Sequence, residues 1–131
     1  MVNLIDLSVA FVESSLELSD EESIMNSIAF LKNLENLHLV MPYIDYEYED
    51  PYKPWFERPI KIGLEKLSKL NTLDLIFQNK YIESPQILSL SKGILNLTNL
   101  CSLSLFINRA YFTDEASKSF GASIALLTDL K

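Results

Sequence analysis

Residues 90–105, LSKGILNLTNLCSLSL, carry apolar side chains at Leu90, Ile94, Leu97, Leu100, Leu103 and Leu105. The successive spacings are 4, 3, 3, 3 and 2. Steps of four and three hold side chains on one side of a helix, whereas a step of two holds them on one face of a strand. The stretch therefore reads as a helix, a tight turn and a short strand. The same series occurs upstream at Ile24, Ile28, Leu31, Leu34, Leu37 and Leu39, and again at Ile60, Leu64, Leu67, Leu70, Leu73 and Leu75. A further copy opens with Phe120, Ile124, Leu127 and Leu130, and Leu4, Leu7 and Val9 match the strand half of a copy. The strand halves of successive copies are offset by 30, 36 and 30 residues.

One such unit has a single apolar stripe and nothing to bury it against. Stacked side by side, the units place their strands in a parallel sheet and their helices in a second layer, with the leucines between. Helices are about 10 Å wide and paired strands about 4.8 Å apart, so the stack is expected to curve with its strands on the inside. The expected fold class is α/β: a short parallel sheet on the concave face and helices on the convex face. The whole of 1–131 forms one domain of about four units, incomplete at both ends, with an insertion at 42–59. Helix starts are marked by Ser19 with Glu22 as a capping box, by Ser84 before Pro85, and by Thr113 before Asp114 and Glu115. Pro59 is expected to open the second helix. Gly63, Gly93 and Gly121 fall inside helical patterns, where close helix packing is the expected reason for them.

The composition narrows the function classes. A chain of 131 residues that is 48% hydrophobic, with 3 Gly and 5 Pro, is neither disordered nor collagen-like. Its net charge of −7 opposes nucleic-acid phosphates and anionic lipid alike, so neither nucleic acid nor membrane is expected as a partner. No apolar run approaches the ~20 residues of a membrane span, and Asp6 interrupts what would be the core of a signal peptide. The lone Cys101 cannot form an internal disulfide, which suits a reducing compartment, and the cytoplasm is expected.

With the L-x-x-L-x-L cores at Leu34-Leu37-Leu39, Leu70-Leu73-Leu75 and Leu100-Leu103-Leu105, the chain resembles the leucine-rich repeat family. Its long helical halves are most similar to the ribonuclease-inhibitor-like subfamily. The asparagine that this family places after the strand is matched by Asn108 alone; Val12, Pro42 and Gln78 hold the other equivalent positions. The resemblance implies protein recognition on the concave face.

Residues alternating with the buried leucines are expected to point to that face: Asp6, Ser8 and Ala10; Asn36, His38 and Val40; Thr72, Asp74 and Ile76; Ser102, Ser104 and Phe106. Val40, Ile76 and Phe106 would form an apolar stripe that contacts a partner, or one that a neighbouring loop covers. The insertion crowds Tyr43, Tyr46, Tyr48, Tyr52, Trp55 and Phe56 beside Asp45, Glu47, Glu49 and Asp50. Its prolines, at 42, 51, 54 and 59, exclude a regular helix. Aromatics among acids on a loop suit engagement of a basic protein surface, although Trp55 and Phe56 would equally serve as plugs of the core. Tyr43, Tyr46, Tyr48, Tyr52, Trp55, His38, Val40, Asp74, Ile76 and Phe106 are thus the expected partner-binding residues.

Catalysis is not expected. His38, Asp74 and Ser104 fall in one row, but repeat geometry aligns any residues at equivalent positions, and no nucleophile elbow or oxyanion hole is signalled. The spacing of Cys101 and His38 matches no metal motif, and glycine is too scarce for a phosphate-cradling loop, so neither metal nor cofactor is expected. The expected function is a non-catalytic protein-interaction module. The alternative is a structural subunit or fragment of a larger assembly, whose open repeat ends neighbouring chains or self-association would complete.

Overall fold

The computed structural model describes residues 3–10, 18–41 and 57–131. In these, strands and helices alternate along the chain: β1 (Asp6–Ala10), α1 (Leu18–Ala29), β2 (Asn36–Met41), α2 (Glu57–Glu65), β3 (Thr72–Glu83), α3 (Ser84–Ile94), β4 (Ser102–Tyr111) and α4 (Asp114–Ala125). The strands form one parallel sheet in the order β1-β2-β3-β4. The fold is mixed α/β, with α1, α2 and α3 each crossing over to the next parallel strand.

The apolar series sets the register. Leu37 pairs with Leu7 and Leu73, Leu39 with Val9 and Leu75, and Leu103 and Leu105 with Leu73 and Leu75. A slip of one residue would turn all of these outward. Leu37, Leu39, Leu73 and Leu75 are at most 1% exposed and share one core with Ile28, Leu64, Leu67, Ile94 and Leu97 from the helices. The helices lie in a row on that face, α1 beside α2, α2 beside α3 and α3 beside α4. Each buried leucine contributes roughly 2 kcal/mol.

The junctions between units repeat atom for atom. Glu35 N and Asn36 N donate to Ile5 O, Asn71 N and Thr72 N to Glu35 O, and Cys101 N and Ser102 N to Asn71 O. Side chains tie adjacent turns as well: Lys69 Nζ donates to Asn33 Oδ1 at 2.6 Å, and Asn99 Nδ2 to Ser68 O at 2.9 Å. These turns satisfy backbone groups at the helix ends that would otherwise lack partners.

Thr113 caps α4 as expected, its Oγ1 accepting from Ala116 N at 3.2 Å, an interaction type that contributes about 1 kcal/mol. Ser84 Oγ in turn accepts from Thr113 N at 2.9 Å, joining the starts of α3 and α4. Ser19 differs from expectation. The helix already includes Leu18, so Ser19 lies within α1 and is not the residue preceding it. Strands β3 and β4 also run further than the short strands expected, with Tyr81–Glu83 pairing with Arg109–Tyr111 after a register shift beyond Phe77.

The glycines divide. A Cβ on Gly93 would lie 3.3 Å from Lys61 Cα and 3.4 Å from Leu64 Cβ, and one on Gly63 would lie 3.2 Å from Met25 O. Both hold neighbouring helices close. Gly121 differs from expectation, because nothing among the described residues comes within 4 Å of a Cβ there. Gly121→Ala is therefore expected to raise stability by about 0.5–1 kcal/mol through helix propensity alone. Gly93→Ala should lower it, since the backbone of α2 would have to give way. Urea denaturation of both variants checks the pair; equal shifts would refute the packing role.

Candidate functional site

Because inward residues alternate with outward ones, the sheet face opposite the helices presents the other half of each strand. Parallel register gathers these residues into rows. One row is Asp6, Asn36, Thr72 and Ser102; the next is Ser8, His38, Asp74 and Ser104; the third is Ala10, Val40, Ile76 and Phe106.

Neighbours within the polar rows bond. Asn36 Nδ2 donates to Asp6 Oδ1 across β1 and β2. His38 Nδ1 and Asp74 Oδ2 are 2.6 Å apart across β2 and β3, with side chains 39% and 31% exposed. A carboxylate only accepts, so Nδ1 is the donor in this contact. This orients the imidazole and stiffens the middle of the face. A contact this open to water contributes little to stability.

A His–Asp pair is also the orienting half of a nucleophilic triad. Ser8 and Ser104 flank it in the row, yet among the described residues neither is hydrogen-bonded to His38 or Asp74. The arrangement can accept or donate hydrogen bonds to a ligand lying across the strands; it does not present an activated hydroxyl. Among the described residues, no group of three or more His, Cys, Asp or Glu could hold a metal ion. Cys101, half-buried, stands just before β4 with Sγ donating to Asn99 O.

The apolar row is graded. Phe106 is 56% exposed and Ile76 half-buried, whereas Val40 is 7% exposed. Of the three residues of the expected stripe, which the sequence left either open to a partner or covered, Val40 is enclosed and Phe106 is open. Tyr43, Tyr46, Tyr48, Tyr52 and Trp55 lie outside the described residues. Two further aromatics escaped notice in the sequence: Phe30, 81% exposed at the end of α1, and Tyr111, 68% exposed at the end of β4. Phe30 was legible in principle, since it stands outside the Ile24, Ile28, Leu31 stripe.

No protein-family model and no curated protein matches the chain. Among the described residues, no helix is long and apolar enough to cross a membrane.

Proposed function

We propose that the chain is a leucine-rich-repeat solenoid of about four units that binds a protein partner on the helix-free, concave face of its sheet and through the loop at 43–56. In-register pairing of residues 30, 36 and 30 apart, with the same backbone bonds at each junction, supports the repeat reading. The single observation that carries the binding role is Phe106. It is an aromatic side chain 56% exposed, beside Ile76 and one row from the oriented His38–Asp74 pair. Large aromatics set among fixed polar groups are the usual anchors of protein interfaces. The acidic balance of the chain favours a partner with a basic surface. The role is non-catalytic, and a free, half-buried cysteine fits a cytoplasmic setting.

The test begins with proteins that co-purify with the tagged chain. The partner is identified, purified and titrated against wild-type and Phe106→Asp chains. Kd should rise at least tenfold, about 1.4 kcal/mol. Leu126, 66% exposed at the end of α4, supplies the control: Leu126→Asp should leave Kd unchanged. A Phe106→Asp chain that binds normally, or a Leu126→Asp chain that binds as poorly, would remove the sheet face from the reading. Changing Tyr46, Tyr48 and Trp55 together to Ala tests the loop in the same titration.

A further inference from the structure

Charge on the helix-free face of the sheet is one-sided. Apart from His38, the titratable residues of its three rows are Asp6 and Asp74, and none is Lys or Arg. Lys61, Lys92 and Lys118 stand instead on α2, α3 and α4, in the other layer. The two carboxylates are placed differently. Asp6 begins its row and is held by Asn36 Nδ2. Asp74 lies in the middle of the sheet, between His38 on β2 and Ser104 on β4.

Asp74 is engaged through one oxygen. His38 Nδ1 lies 2.6 Å from Oδ2, and among the described residues Oδ1 has no hydrogen-bond partner. A carboxylate can accept at both oxygens, so this side chain, 31% exposed, keeps room for a second donor. The contact with His38 fixes its orientation, which lowers the cost of ordering it when a ligand arrives. One strand over and one row on stands Phe106, 56% exposed. Its Cα is roughly 8 Å from that of Asp74, given paired strands and a two-residue step. Ser104, also exposed, pairs with Asp74 and lies on the same face as Phe106.

A group that satisfies both side chains has to donate hydrogen bonds, carry positive charge and offer a flat face to an aromatic ring. A guanidinium does all three. It is planar and weakly hydrated, its N–H groups lie around its edge, and it stacks on aromatic faces. A lysine ammonium is a compact, strongly hydrated point charge with no face to stack. Anionic groups are repelled from a face whose formal charges are carboxylates.

We propose that Asp74 and Phe106 form the recognition site for an arginine side chain of the partner protein. Its guanidinium donates to Asp74 Oδ1, stacks on the Phe106 ring and gives a further N–H to Ser104 Oγ. His38 acts as a positioning residue that holds the carboxylate. The inference rests on the sheet-face reading and narrows its partner from a basic surface to one residue type.

The probe is N-acetyl-arginine N-methylamide, titrated into the isotope-labelled chain and followed by amide NMR. Saturable shifts should appear at Asp74, Ser104 and Phe106, with a Kd on the order of 10 mM for this single residue of an interface. The lysine analogue carries the same charge and should bind about fivefold more weakly. The citrulline analogue keeps the shape without the charge and should not saturate. Asp74→Asn should weaken the arginine probe about tenfold, and Phe106→Leu should remove the preference for arginine over lysine. Asp129→Asn makes the same change of charge in an exposed turn and should alter neither. Failure of the arginine probe to saturate up to roughly 100 mM, equal affinity for the lysine probe, or an equal loss in Asp129→Asn would overturn the inference. So would shifts at the same amides that grow with protein concentration alone, since a second copy would then occupy the face. The sheet-face reading survives each of these results, because it stands or falls on the Phe106→Asp titration against the purified partner.

Discussion

Leu73→Asp is expected to leave the chain without a cooperative unfolding transition at room temperature. Leu73 is 0% exposed, in register between Leu37 on β2 and Leu103 on β4. The substitution forfeits about 2–3 kcal/mol of apolar burial. It also leaves a carboxylate enclosed among leucines, with several kcal/mol of desolvation to offset. Domains of this size are stable by only about 5–15 kcal/mol, so the two losses together remove most of that margin. Asp74, the next residue, supplies the contrast: there a carboxylate is native, 31% exposed and bonded to His38. Circular dichroism across a thermal scan distinguishes the outcomes. A Leu73→Asp chain that melts within a few degrees of wild type would mean that the inward and outward faces of β3 have been exchanged.

That contrast between neighbouring residues was legible in the sequence, because the 4, 3, 3, 3, 2 spacing assigns Leu73 to the core and Asp74 to the open face. The same rule places the inward residues of four strands in register, and the capping pattern puts Thr113 at the start of α4. It could not see what lies outside the recurring frame. β3 and β4 continue together through Glu83 and Tyr111, beyond the recurring frame. Ile76, Phe77, Tyr81 and Ile82 favour extended backbone, but only pairing between two particular segments decides how far a strand runs. The candidate site shows the same limit. The sequence sets His38 and Asp74 in one row, yet a 2.6 Å contact depends on side-chain angles that no spacing records. Val40 was assigned to the open stripe by parity alone; its enclosure is a tertiary fact. Gly121 was grouped with Gly63 and Gly93 because all three interrupt helical patterns. The frame separates them, since Gly63 and Gly93 share one repeat position with Ser123, whereas Gly121 shares another with Lys61 and Ser91.

Equivalence by sequence is not equivalence in energy, and the leucines of the turns measure the difference. Leu34, Leu70, Leu100 and Leu130 occupy one repeat position. The first three are 0% exposed, whereas Leu130 is only partly buried. Leu70→Ala should lower the free energy of unfolding by about 3–5 kcal/mol, the transfer loss plus a cavity that two flanking units keep from collapsing. Leu34→Ala and Leu100→Ala should fall in the same range. Leu130→Ala should cost about 1 kcal/mol, because part of the side chain already meets water and the turn can relax into the gap. In a stack where each unit touches only its neighbours, the cost of a truncation reports how many neighbours that position has. Urea unfolding of the four variants at constant m-value gives the series directly. If Leu130→Ala were as damaging as Leu70→Ala, the number of flanking units would not set the cost and the nearest-neighbour reading would fail.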